Sequence, residues 1–284
     1  MVKSQNNDSK CGVGRLFRYD LREGIAAEWK KMAAVVVFSL IAGLYMYIHI
    51  VGLKKNFDVS SDGTFIDYLL NMLHGMKRFV ASSGGEFEIP ITFLGISILT
   101  AFTIGNYVVN DLSACGIQII TRSQSRTNWI ISKILWNFTV VIMIYLCIVI
   151  VAYILGGGGV SPTELICSKI LDFSNINASG VSNMTLCVLV ILLPLVTSMA
   201  VSQLQMTISL IVSPVAGFFV VITIMFLSAY ITSPYLLGNY WMIQRNSIFL
   251  NGGMNMVIGF ALNVIVILVA IICDIFYFKR KNII

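Results

Sequence analysis

From residue 173 to residue 244 the chain contains no Asp, Glu, Lys or Arg. About 20 apolar residues suffice to cross the ~30 Å hydrocarbon layer of a bilayer, so this uncharged run is too long for one span and must hold at least two. A polypeptide so poor in charge folds against lipid. The whole chain agrees: 57% of its 284 residues are hydrophobic and 11% charged, where a soluble domain is about half apolar and a quarter charged.

Reading outward from that run gives six spans, at about 32–51, 90–110, 134–155, 184–202, 207–231 and 256–278. The third is expected to stop at the glycines Gly156 to Gly159, which no helix interior favours. Gln203, Gln205 and Thr207 read as a turn between the fourth and fifth spans, which leaves Pro194 and Pro214 inside helices as kinks. The fold class is therefore all-α: a polytopic membrane protein with a cytoplasmic N-terminal segment (1–31) and a single transmembrane domain (32–284).

Lys3, Lys10, Arg15, Arg18, Arg22, Lys30 and Lys31 precede the first span, so no cleaved signal peptide is expected. With both termini inside, 13 Lys and Arg lie on the cytoplasmic side against 6 outside, the bias of the positive-inside rule. That rule accounts for the net charge of +6 better than nucleic-acid binding does. Phe17, Leu21, Ile25 and Trp29 recur every four residues and predict an amphipathic helix lying along the inner leaflet. On the outer side, 58–81 has helix-like apolar spacing, and 233–255, with Tyr235, Tyr240, Trp241 and Arg245, reads as a re-entrant or interfacial piece before the last span.

Several chemistries are not supported. The glycine runs lack the Gly-Lys-Ser/Thr ending of a phosphate-binding loop, so this chain is not expected to hydrolyse ATP. No catalytic constellation stands out, and near a span the acidic residue is Asp274, toward the inner end. The six cysteines form no CxxC pair, no metal site is expected, and spacing alone does not license a Cys167–Cys187 disulfide. Asn106, Asn137 and Asn263 are read as interhelical hydrogen-bonding residues before pathway contacts. The spans hold few ionisable groups, which argues against a proton- or ion-coupled carrier.

That leaves segment 111–133, DLSACGIQIITRSQSRTNWIISK, a basic stretch between two apolar runs and a candidate cytoplasmic handle for a soluble partner. Asp111 follows the second span; then come Gly116, Thr121-Arg122, Ser125-Arg126 and Ser132-Lys133. Here the chain resembles permease subunits of ABC transporters of the type-two exporter class, with Asp111 or Asn110 where that family usually has glutamate. The resemblance extends to the six-span layout and covers nearly the whole chain.

What it implies is a cytoplasmic coupling helix, carried by Asp111, Gly116, Arg122, Ser125, Arg126 and Lys133, that docks on a separate ATP-binding subunit. Two such subunits, holding ATP and Mg, and a second permease copy or a homologous permease would complete the complex; no cofactor is expected in this chain. The style is similar to bacterial peptide-antibiotic (bacteriocin or lantibiotic) export or immunity permeases. It implies a bacterial cell membrane and a hydrophobic or amphipathic peptide cargo, with a small drug, lipid or ion as the alternative. An ATP-independent membrane carrier is the reading from another class.

Overall fold

A computed structural model describes residues 12–57, 62–79, 87–116, 118, 120, 125–171, 182–250 and 252–280. These residues are helical throughout, joined by turns, and the one backbone bridge among them, Asn246 with Met254, is isolated. Eleven α-helical pieces follow in chain order. They are α1 (Val13–Phe57), α2 (Phe65–Leu73), α3 (Ile91–Ile104), α4 (Tyr107–Asp111), α5 (Arg126–Gly156), α6 (Glu164–Lys169), α7 (Asn183–Cys187), α8 (Leu193–Ile211), α9 (Pro214–Tyr230), α10 (Gly238–Trp241) and α11 (Met256–Arg280).

Among the described residues, five stretches are long and apolar enough to cross a membrane: Val13–Asn56, Ile91–Ala114, Arg126–Gly156, Asn183–Ile211 and Met256–Arg280. The chain is a membrane protein. The fifth span of the sequence reading corresponds to α9, a shorter apolar helix of 17 residues.

The boundaries follow from local chemistry. Ser125 accepts a hydrogen bond from Asn128 N–H and opens α5, and Gly157, at φ +64°, closes it, as the glycine run predicted. A Cβ on Gly156 would lie 2.6 Å from the backbone of Thr64 and Phe65, so glycine there also lets α2 approach. Thr64 and Asp67 form a capping box that starts α2.

The break between the fourth and fifth spans differs from the reading at 203–207. Gln203 and Gln205 are fully buried inside α8, which continues to Ile211. Their amides bond across to neighbouring helices, Gln205 Nε2 to Ala101 O at 2.8 Å and Gln203 Nε2 to Asp274 at 2.6 Å. The true break lies at Val212 and Ser213; Ser213 caps α9, and Pro214 takes its first turn, where a missing N–H costs nothing. Pro194 does lie within a continuous stretch, and the helix widens before it. Residues Val188–Leu192 form a π turn in which Leu193 N–H reaches Val188 O.

The N-terminal segment is not a separate interfacial helix. Residues 13–57 form one helix, and the buried stripe of its first turns is Leu16, Asp20, Gly24 and Glu28, one position off the predicted one. Phe17, Leu21 and Ile25 are half-buried and Trp29 is 55% exposed. The acids in the stripe are paired: Glu28 with Lys31 of the same helix at 2.5 Å, and Asp20 with residues of α4 and α5.

The two pieces expected on the outer side pack into the bundle. The predicted outer helix exists as α2, yet from Ile66 to Leu73 every residue is buried. Asp67 also accepts from Thr163 N–H and Oγ1, at 2.9 and 2.8 Å. Of the aromatic and basic residues singled out in the 233–255 segment, Tyr240, Trp241 and Arg245 are buried and Tyr235 stands well out. Arg245 donates to Ser228 O, Ala229 O, Met76 O and the Asn239 amide oxygen, tying the end of α9 to the 74–79 loop. Burial lowers its pKa to about 10, so it stays charged at neutral pH. Cys167 and Cys187 are free, and burial beside Asp67 pushes the Cys167 thiol up.

Candidate functional site: a buried charge cluster beside the 111–133 segment

The helix that begins as α3 breaks at Gly105 and Asn106. There the Gln205 amide from α8 competes for Ala101 O, an insertion into the helix ladder of the kind that bends it. It resumes as α4 and runs through a π turn, Leu112–Gly116, before α5 begins ten residues later at Arg126. Two spans thus leave and re-enter the bundle through a short connection. The chemistry lies at its base.

Lys133, about two turns into α5, is completely buried. Its Nζ lies 2.5 Å from Asp20 Oδ1 on α1 and 2.6 Å from Asp111 Oδ2 on α4. The Asp111 contact is an ion pair whose angles are not those of a hydrogen bond. The ammonium also sits 4.7 Å from the centre of the Tyr107 ring and 5.1 Å from that of Trp129, within cation–π range. Asp20 is satisfied further: Tyr107 OH donates to Oδ1 at 3.1 Å, and Ser132 OH donates to Oδ2.

Around this ion triad the aromatics make a wall. Tyr107 lies against Trp136, with ring centroids 4.2 Å apart, and Trp129 stacks on Phe278 of α11 at 4.8 Å. Gly24 leaves room for the Trp136 indole against α1. Buried charges cost free energy unless paired, and here one cation faces two carboxylates, for a net charge of −1. The arrangement holds α1, α4 and α5 in one register.

The predicted coupling residues therefore divide. Lys133 and Asp111 point into the bundle, where the sequence reading had a cytoplasmic surface. Gly116 is buried, and a Cβ there would be 2.9 Å from Asp111 O, so it serves local packing. Ser125 caps α5. Arg126 is half-exposed and reaches Lys279 O at 3.5 Å, while Arg122 lies outside the described residues.

The residues that sequence reasoning missed are Asp20 and Tyr107; Ser132 was read only as part of the motif. The available signal for Asp20 was its place with Glu28, eight residues on, along the helix face that also carries Leu16 and Gly24.

Two of the three asparagines bond between helices. Asn137 Nδ2 donates to Gln203 Oε1 at 3.1 Å and Asn263 Nδ2 to Thr197 Oγ1 at 2.8 Å, joining α5 and α11 to α8. Asn106 sits instead at the helix break before α4. Asp274 is also buried between helices. With Gln203 and Asn137 it forms a second polar cluster one turn along α5 from Lys133.

The chain belongs to the family described as Protein of unknown function (DUF2705), whose model matches residues 87–284. That portion contains Asp111 and Lys133 and begins after Asp20. No curated protein and no solved structure matches the chain.

Proposed function

We propose that this chain is the membrane-spanning permease subunit of an ATP-driven transporter of the ABC type, lying in a bacterial cell membrane with both termini in the cytoplasm. It pairs with a second permease copy or a homologous permease and with two ATP-binding subunits, which hold the ATP and Mg. The cargo is a hydrophobic or amphipathic peptide.

The observation that carries this reading is the buried Lys133 triad at the base of the 111–133 connection. A chain without a phosphate-binding loop must receive its energy from elsewhere, and a push on a loop moves a bundle only if the loop's roots are rigid. Lys133 and Asp111 lie at the two roots, and both are tied to Asp20 on a third helix. Closure of the ATP-binding subunits then moves α1, α4 and α5 together and shifts the permease pair between inward-open and outward-open states. Docking falls to the surface of the connection, with Arg126 as its described cation.

Purification of the full chain in mild detergent tests this. A nucleotide-binding protein is expected to copurify, the chain alone is expected to show no ATPase activity, and Arg126→Glu is expected to release the partner while leaving the yield of membrane-inserted protein unchanged. Failure to recover any nucleotide-binding protein under several detergent conditions would sink the proposal.

A further inference from the structure

At the end of the bundle away from the charge triad, a cavity of about 640 Å³ opens between α1, the 74–79 loop and the start of α3. That is the volume of a small-molecule site. One wall is apolar: Phe38, Ile41 and Tyr45 recur on a single face of α1, and Ile89 and Ile91 face them. Ile41 is 59% exposed and Ile91 70%, and both belong to stretches long and apolar enough to cross the membrane. The cavity therefore opens sideways to lipid rather than only to water.

The other wall is polar and has a definite sense. Asn71 donates an amide N–H to Ala42 O, and Gln244 donates one to Leu171 O, which identifies the other end of each amide as its accepting oxygen. His74 Nδ1 lies 2.6 Å from Asn71 O, and because a carbonyl only accepts, Nδ1 carries the proton. Burial pushes His74 below the usual imidazole range, which leaves Nε2 as an acceptor at neutral pH. The Asn71 and Gln244 amide oxygens and His74 Nε2 thus give the floor three acceptors. On the rim, Lys77 and Arg78 are exposed side by side, with Glu88 also lining the cavity.

Two cations on the rim suit a phosphate, acceptors and a carboxylate beyond them suit a donor-bearing group, and an apolar wall facing the bilayer suits an acyl chain. We infer that this cavity binds a membrane phospholipid by a phosphodiester head that ends in a hydrogen-bond donor, an amine or a hydroxyl. The phosphate rests on Lys77 and Arg78, the terminal donor reaches the Asn71, His74 and Gln244 acceptors, and the chains leave along Ile41 and Tyr45. This inference does not depend on the ATP-driven reading.

The test is native mass spectrometry of the purified full chain, titrated separately with phosphatidylethanolamine, phosphatidylglycerol and phosphatidylcholine. The last has the same phosphate but no donor. One tightly held lipid is expected with either donor-bearing head, retained about fivefold better than phosphatidylcholine, the worth of one net hydrogen bond. The ethanolamine and glycerol arms show which donor is preferred.

Lys77→Gln with Arg78→Gln is expected to abolish that retention. Ile41→Trp, on an exposed wall where folding is not at stake, is expected to do the same by filling the groove, with the thermal midpoint of the lipid-free protein unchanged in each. Equal retention of all three lipids, or variants that hold lipid as the parent does, would mean incidental boundary lipid only and would overturn the inference.

Discussion

Lys133 has a role that its neighbours in sequence do not suggest. A lysine just inside a span, after two arginines, reads as an anchor at the membrane surface, yet its ammonium is buried between two carboxylates and two rings. Removing one partner of a buried pair costs more than the pair is worth, because it strands the other charge. Lys133→Gln leaves Asp20 and Asp111 facing each other without a cation and is expected to destabilise the fold by about 3–5 kcal/mol. Asp111→Asn leaves a one-to-one Lys133–Asp20 pair, still served by Tyr107 and Ser132, and is expected to cost clearly less. Thermal unfolding of the two variants in the same detergent checks this order; equal losses would show that packing, not charge balance, holds the cluster together.

At the scale of elements, the apolar runs were legible because lipid demands them, and the end of α5 falls where glycine was expected to stop it. What misled was polarity inside helices. Gln203 and Gln205 look like a turn when only local sequence is weighed, but Asp274 and Ala101 supply their partners from 71 and 104 residues away. Asp20 reads as a solvated residue for the same reason, since Lys133 lies 113 residues off. Neither the identity nor the distance of such a partner is written in a helical period. Close approaches are equally non-local. Gly156→Ala is expected to cost about 1–3 kcal/mol, because its Cβ meets the backbone that starts α2 rather than a movable side chain. Gly158→Ala, where nothing lies within 4 Å, is the control and is expected to leave the unfolding midpoint in place.

For the molecule as a whole, the number of crossings decides which faces meet the cytoplasm, and it turns on α9. Seventeen residues make a helix of about 25 Å, short of the ~30 Å hydrocarbon layer. Local thinning of the bilayer accommodates such a mismatch at modest cost, and no charged residue within α9 opposes insertion. If α9 crosses, six spans return the chain to its starting side; if it lies flat, five leave the termini on opposite sides. Single cysteines in place of Arg18, Tyr235 and Arg280, all exposed positions, in a background with the six native cysteines changed to serine, distinguish the two cases. A membrane-impermeant maleimide added to intact cells is expected to label position 235 and to reach 18 and 280 only after permeabilisation. Labelling of exactly one of the two terminal positions from outside would remove α9 from the crossings. It would also separate the basic 111–133 connection from one of the two termini with which the positive-inside count groups it.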